Sequence, residues 1–279
     1  MDLQAQIQKA EAFRRMHDRS RILVLVNAWD AASARIIEEA GARAIATTSA
    51  GVANALGYSD GQFLPHDEAI AAVARIARVI AVPLTADIEA GFAEEANELR
   101  ASIRSFIEAG AVGINFEDSH HRSSEPLYEI DVMAARIRTV REAASATKVP
   151  LVINARTDVY LRQVGAPETR FDLAVKRANA YRAAGADSLF VPGVRDTETI
   201  SRLVRAIDGP INILAGAGFP SIPELAKLGV ARVSVGGAPA LSALTHTRKV
   251  AQELFGAGTY SALEGNLSHG EANKLFAPR

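Results

Sequence analysis

Glu108-Ala109-Gly110-Ala111-Val112-Gly113-Ile114-Asn115-Phe116-Glu117 is the stretch that decides the fold. It opens on the end of a helix-period segment, turns at a glycine, runs through an apolar strand and finishes on polar side chains. A glycine just past the last helical turn can take the left-handed conformation that ends a helix. The same phrase closes other segments, at Glu39-Ala40-Gly41-Ala42, Ala184-Gly185-Ala186 and Lys227-Leu228-Gly229. An apolar run follows each within a few residues, so helix and strand alternate along the chain.

Outward from that stretch, the spacing predicts a lead-in helix over 2–17, with Ile7, Ala10, Phe13 and Met16 on one face. Strand and helix then pair as 22–27 with 31–40, 44–48 with 65–80, 83–89 with 94–109, and 112–117 with 130–146. The series continues as 150–156 with 171–184, 188–192 with 197–207, 210–215 with 222–228, and 230–235 with 239–255. The strands are nearly continuous Val, Ile, Leu and Ala, as a parallel sheet covered by helices requires. Eight units in 279 residues fit one (β/α)₈ TIM barrel over 1–279 better than an open doubly wound sheet. Beyond 255, short helices are expected at 260–264 and 270–276, after Gly256-Ala257-Gly258. The region 238–279 thus forms C-terminal helices that pack on the barrel or on a neighbouring subunit.

Bulk composition narrows the function classes. A formal net charge of −1 gives no electrostatic footprint for nucleic acid or a membrane surface. No apolar run is long enough to span a bilayer, and the charged N-terminal segment is unlike a signal peptide. Cysteine is absent, which removes disulfides, thiolate nucleophiles and zinc–sulfur sites. The expectation is a cytoplasmic protein.

In barrels of this kind, active sites sit at the C-terminal ends of the strands. Those ends carry Thr48-Ser49, Asp87-Ile88-Glu89, Asn115-Phe116-Glu117-Asp118, Asn154-Ala155-Arg156-Thr157-Asp158 and Asn212, and the long loop after the second strand adds Asp60. Residues two apart on a strand share a face, so Asp87 and Glu89 are expected to project together. Like charges so close need a cation, and a hard ion such as Mg²⁺ prefers oxygen ligands and keeps several waters. Asp87 is the expected direct ligand, with Glu89 and Glu117 acting directly or through water; Mn²⁺ is the alternative ion. Arg156 offers a planar fork for a carboxylate or a developing oxyanion. Thr48 and Ser49 are placed to hold a second carboxylate, and Asn212 joins them as a candidate substrate-binding residue.

Other features have structural readings. Asp30 is expected as a helix N-cap, Trp29 as packing, and Asp118 and Asp158 as partners of arginines at the rim. His120-His121 is expected in a solvated loop, because adjacent side chains diverge and do not share a metal. The glycine loops 215–218 and 235–238 lie where many barrels bind phosphate, which raises a phosphorylated-sugar aldolase or isomerase. None of the six lysines ends a strand, which disfavours a Schiff-base aldolase.

These residues resemble the isocitrate lyase/phosphoenolpyruvate mutase superfamily from about Trp29 to Ala240. The resemblance rests on Trp29-Asp30-Ala31-Ala32-Ser33-Ala34, Thr48-Ser49-Ala50-Gly51-Val52, Leu56-Gly57-Tyr58-Ser59-Asp60-Gly61, Asp87-Ile88-Glu89-Ala90-Gly91-Phe92, Gly113-Ile114-Asn115-Phe116-Glu117-Asp118 and Ala155-Arg156-Thr157-Asp158. It implies a barrel with Mg²⁺ near Asp87, a 2-oxo or 2-hydroxy acid held by Thr48, Ser49, Ala50 and Arg156, and Asp60 beside metal and substrate. It also implies a homo-oligomer, a dimer of dimers whose C-terminal helix packs on a neighbour. Three departures matter. Ser119-His120-His121-Arg122-Ser123-Ser124-Glu125-Pro126 carries neither the catalytic-loop cysteine of the isocitrate and methylisocitrate lyases nor the lysine and asparagine of the phosphonate mutases. Pro192-Gly193 replaces a glutamate-glycine pair, and Glu89 stands where many relatives have aspartate. The resemblance therefore implies a Mg²⁺-dependent carbon–carbon lyase or decarboxylase on a small dicarboxylate, with Arg156, Glu117 and Asp60 as its catalytic residues. Phosphonopyruvate-type P–C chemistry and a non-catalytic carboxylate binder are the alternatives.

Overall fold

The computed structural model describes residues 2–121 and 123–277. The expected loop residue Arg122 lies outside the described residues. Helix α1 (Leu3–Arg15) leads into β1 (Leu23–Leu25), β2 (Asn27–Ala28), α2 (Ala31–Glu39), β3 (Ile45–Thr47), α3 (Ser49–Ala55) and α4 (His66–Val79). Next come β4 (Leu84–Asp87), α5 (Ala96–Glu108), β5 (Gly113–Glu117), α6 (Ile130–Ala146), β6 (Val152–Arg156), α7 (Arg170–Ala183) and β7 (Ser188–Phe190). The chain continues through α8 (Thr197–Ala206), β8 (Ile211–Leu214), α9 (Ile222–Lys227), β9 (Arg232–Ser234), α10 (Ala238–Gly256) and α11 (His269–Leu275).

All strand pairs are parallel, in the order β1-β9-β8-β7-β6-β5-β4-β3-β2. The expected first strand is split at Val26: β1 pairs only with β9, and β2 only with β3. The two ends of the sheet therefore belong to one strand of the chain, and the ring is an eight-stranded barrel whose first strand changes neighbours halfway. The glycine that ends α5, Gly110, has φ +107°, the left-handed cap read from the sequence.

The floor of the barrel is closed by α1. Ala10 and Phe13 are fully buried, and Gln6 Nε2 donates to Ile107 O and Ala111 O at 2.6 and 3.2 Å. Phe13 fits because β5 begins on a glycine: a Cβ on Gly113 would lie 2.6 Å from Phe13 Cε1. Asp30 caps α2 in a reciprocal box with Ser33, as expected, and Trp29 packs half-buried on the core.

Two differences from the sequence reading bear on the mouth. The segment after β3, expected as loop, begins with the short helix α3. Strand β4 ends at Asp87, and Glu89 sits in a turn with φ +49°, so the two-residue parity expected to align it with Asp87 does not apply. At the other end, α10 buries only Ala240, leaving Leu241, Leu244 and Phe255 exposed. Helix α11 folds back on α2, where Arg35 Nε donates to Leu275 O at 2.9 Å.

Candidate active site

A cavity of about 140 Å³ opens at the C-terminal ends of the strands. Thr48, Ser49, Ala50, Asp60, Asp87 and Arg156, all singled out in the sequence, line it. Asn212 does not. It is fully buried below the wall, with Nδ2 3.2 Å from the Oγ of Ser234, which does line the cavity. An adjoining cavity of about 400 Å³ shares Asp60 and Arg156 and is walled by Glu117, Ser119, His120, His121 and Asp158.

Asp87 is fixed from three sides. Its backbone N–H donates to Thr47 Oγ1 at 2.8 Å, Oδ2 accepts from Ser49 N at 3.0 Å, and Oδ1 accepts from Asn115 Nδ2 at 2.9 Å. Asn154 Nδ2 in turn donates to Asn115 Oδ1 at 2.8 Å, so an amide relay crosses from β6 through β5 to β4. Each carboxylate oxygen thus keeps a lone pair for a further partner.

Arg156 is gripped by carboxylates. Nη1 lies 2.8 Å from Glu117 Oε2, while Nε and Nη2 bind Asp158 at 2.6 and 3.0 Å. Ser119 Oγ donates to the same Asp158, and Asp118 Oδ1 accepts its backbone N–H at 2.9 Å. Burial opposes the charge on Arg156, but Glu117, Asp158 and Asp87 outweigh it and hold the guanidinium above its usual range. The expected pairing of Asp118 and Asp158 with arginines is present, inside the protein rather than at the rim. Asp118 is wholly buried against Arg177 Nη1 at 3.2 Å and Tyr181 Oη at 2.7 Å.

The remaining acids crowd one another. Glu89 accepts from Gln62 N at 2.8 Å, and burial, with the charges of Asp60, Glu117 and Asp87, pushes its carboxyl up to about 9. Burial also raises Asp60 and Glu117, the first with help from Asp87 and the second against the pull of Arg156. His121, expected in a solvated loop, is instead packed between carboxylates: Nε2 is 3.0 Å from Glu117 Oε1 and 3.7 Å from Glu89 Oε2. His120 is packed as well, stacked on Tyr128 with ring centroids 4.2 Å apart.

Four carboxylates around one mouth fit a hard divalent cation, which relieves their mutual repulsion and accepts an all-oxygen donor set. Among the described residues, no three His, Asp or Glu side chains form a ready-made cage. Glu117 is committed to Arg156 and His121, and Glu89 to Gln62. That arrangement suits an ion bound through Asp87 that keeps much of its water.

Sequence reading missed Arg232 and Asn27. Arg232 is 2 % exposed and lines the cavity from β9; its signal was a lone cation inside the apolar run 230–235. Asn27 bridges the barrel seam: Nδ2 donates to Thr47 O at 2.7 Å, and Oδ1 accepts from Val235 N and Gly236 N at 3.0 and 2.9 Å.

The fold is thus a closed parallel barrel whose carboxylate-lined mouth carries an arginine gripped by Glu117 and Asp158. The chain belongs to the phosphoenolpyruvate phosphomutase family, whose model matches residues 13–255, within the isocitrate lyase/phosphoenolpyruvate mutase superfamily. It is 34% identical over 228 residues to protein Rv1998c of Mycobacterium tuberculosis, covering 82% of this chain and 83% of that one. Over 209 residues it is 31% identical to oxaloacetate decarboxylase 2 of Pseudomonas fluorescens, covering 72% of this chain and 68% of that one. A crystal structure from Burkholderia cenocepacia J2315, described as a candidate lyase/mutase, superposes with TM-score 0.91 at 37% identity, covering 99% of this chain and 98% of that one. A phosphonopyruvate hydrolase in complex with oxalate and Mg²⁺ shares the fold, with TM-score 0.84 at 22% identity, covering 96% and 94%. The superfamily is one of enzymes, lyases and mutases among them.

Proposed function

We propose that this chain is a Mg²⁺-dependent carbon–carbon lyase or decarboxylase acting on a small 2-oxo or 2-hydroxy dicarboxylic acid. The observation that carries the reading is Asp87, held by Ser49 N–H and Asn115 on the wall of a small cavity that Arg156 also lines. The likeness to an oxaloacetate decarboxylase and the Mg²⁺–oxalate complex of a fold relative support it.

Asp87 would hold the ion, with Asp60, Glu89 and Glu117 around it; when bound, the ion polarises the carbonyl beside the breaking bond. The chain's own residues do the rest. Thr48, Ser49 and Ala50 line the wall that positions the acid. Arg156, pinned by Glu117 and Asp158, presents a positive charge that needs no rearrangement as negative charge develops. In decarboxylation the C–C electron pair stays on the carbon next to the carbonyl, which then takes a proton. The proton held between His121 Nε2 and Glu117 Oε1 is a source for that step, in place of the missing loop cysteine.

Pyruvate release from oxaloacetate in MgCl₂ is expected to exceed the protein-free rate at equal MgCl₂ by about 10²-fold or more, and EDTA is expected to return it to background. Assays on substituted malates and phosphonopyruvate separate the lyase reading from P–C chemistry. Turnover of phosphonopyruvate alone would overturn it. Oxalate binding with no turnover of any 2-oxo acid would leave the non-catalytic binder.

We also propose that the chain self-associates through α10. An apolar groove of about 410 Å³ between β1 and α2, lined by Ile22, Val24, Val26, Ile36 and Ile37, lies open beside the barrel. Leu241 and Leu244 on α10 are more than half exposed, and a second copy's α10 supplies an apolar partner for that groove. Leu244→Asp is expected to reduce the species seen by light scattering to a monomer. An unchanged mass would refute this assembly.

A further inference from the structure

We propose that Arg232 anchors a second negative charge of the ligand at the inner wall of the cavity, so that the site selects dianions over monoanions. The inference rests on reading this cavity as the ligand site. Arg232 and Ser234 are two apart on β9 and both line the cavity, with Arg232 the deeper.

The guanidinium has no anionic partner of its own. Among the described residues no carboxylate lies within 4.0 Å of it, and its Nε is buried without a hydrogen bond. Its polar neighbour is His17, with Nη1 3.4 Å from Nε2. The other ring nitrogen, Nδ1, lies 2.9 Å from Phe13 O. Burial and Arg232 lower His17 to about 3, so the ring is neutral: Nδ1–H donates to Phe13 O and Nε2 accepts from the arginine. His17 therefore fixes the guanidinium in place without cancelling its charge. Phe13, with its ring centroid 5.9 Å from the guanidinium carbon, adds a π-face and again no anion.

Asp87 is the carboxylate whose charge reaches Arg232, but it lies more than 4.0 Å from the guanidinium and is turned to Ser49 N and Asn115 Nδ2. Its charge favours protonated Arg232 only weakly against burial, which brings the arginine down to about 9. A buried cation with no partner is costly to keep. An anion entering the cavity of about 140 Å³ that Arg232 lines is what would balance it. Arg156 at the mouth is already balanced by Glu117 and Asp158, so the two arginines do different work: the outer one is pre-paired, the inner one waits. A small dicarboxylate supplies one group to each end of such a cavity, whereas a monocarboxylate leaves Arg232 unmatched.

Malonate and pyruvate are similar in size and differ in charge, so their binding measured by calorimetry in fixed MgCl₂ is the test. The unmodified chain is expected to bind malonate at least tenfold more tightly than pyruvate. Arg232→Gln is expected to weaken malonate at least tenfold while pyruvate changes less than threefold, and Arg232→Lys is expected to recover part of the malonate affinity. Equal loss of both ligands, or loss of neither, would overturn the assignment. So would the absence of a malonate preference in the unmodified chain, a result that needs no variant to fold. If the preference holds and falls with Arg232→Gln while no 2-oxo acid is turned over, the enzymatic reading fails and the dianion site stands. Turnover of oxaloacetate with malonate binding untouched by Arg232→Gln would give the reverse.

Discussion

Asp87→Ala is expected to lower kcat/KM for the 2-oxo acid substrate by about 10³-fold and to remove the response to magnesium. Loss of several kcal/mol of charge stabilisation corresponds to a factor of that size. Raising MgCl₂ is expected to raise Tm in the unmodified chain, because an ion bound only by the folded state stabilises it by mass action. In Asp87→Ala that rise should vanish while the metal-free Tm changes little. The variant strands Ser49 N–H and Asn115 Nδ2, which costs about 1–3 kcal/mol, but it also removes one of four crowded carboxylates. A variant with full activity, or one still stabilised by Mg²⁺, would move the ion away from Asp87.

Arg156→Gln carries the second large effect, and it falls on stability as well as rate. The substitution leaves Glu117 and Asp158 buried without their cation. Breaking a buried pair in this way costs about 3–5 kcal/mol, and the guanidinium is only 16% exposed, so solvent does little to screen the loss. The direction with pH follows from the stranded groups. Burial already raises Glu117, and losing Arg156 raises it further, so the folded variant takes up a proton that the unfolded chain releases above its ordinary carboxylate range. Stability of the variant should therefore increase as pH falls from 8 towards 5, relative to the unmodified chain. Denaturant melts at several pH values read this directly. Arg156→Lys should keep part of the stability, since it keeps the charge, and little of the rate, since an ammonium cannot keep the paired bonds to Asp158 that hold the charge in place. Equal stability of Arg156→Gln and the parent at neutral pH would show that this network is not what holds the β5–β6 mouth.

Much of this architecture was legible beforehand because it is written in short-range signals. Helix-ending glycines such as Gly110, the continuous apolar strands and the polar residues at their ends each act within a few positions of themselves. The αN-cap role of Asp30 was readable for the same reason. What the chain order concealed were relations across the barrel. Glu89 reaches the acid cluster through a left-handed turn, not through strand alternation, because β4 stops at Asp87. His121 was expected in solvent, yet it lies between Glu117 and Glu89, close in sequence to Ser119, which pairs with Leu127 in an antiparallel bridge. Asn212 looked available at a strand end, but its side chain is spent on Ser234 inside the wall. Arg232 is visible as a lone cation in the apolar run 230–235, but the neighbour that receives its inward face, His17, lies 215 residues away.

The seam of the barrel has an outcome for selectivity. Gly236 and the residue before it occupy the place where sugar-phosphate barrels present free backbone donors to an oxyanion. Here Asn27 Oδ1 has claimed both of those N–H groups in order to join the two halves of a strand that changes neighbours. Closing the ring thus takes two backbone donors at this corner out of reach of any ligand, and the glycine loop that suggests a sugar-phosphate grip serves as a structural joint.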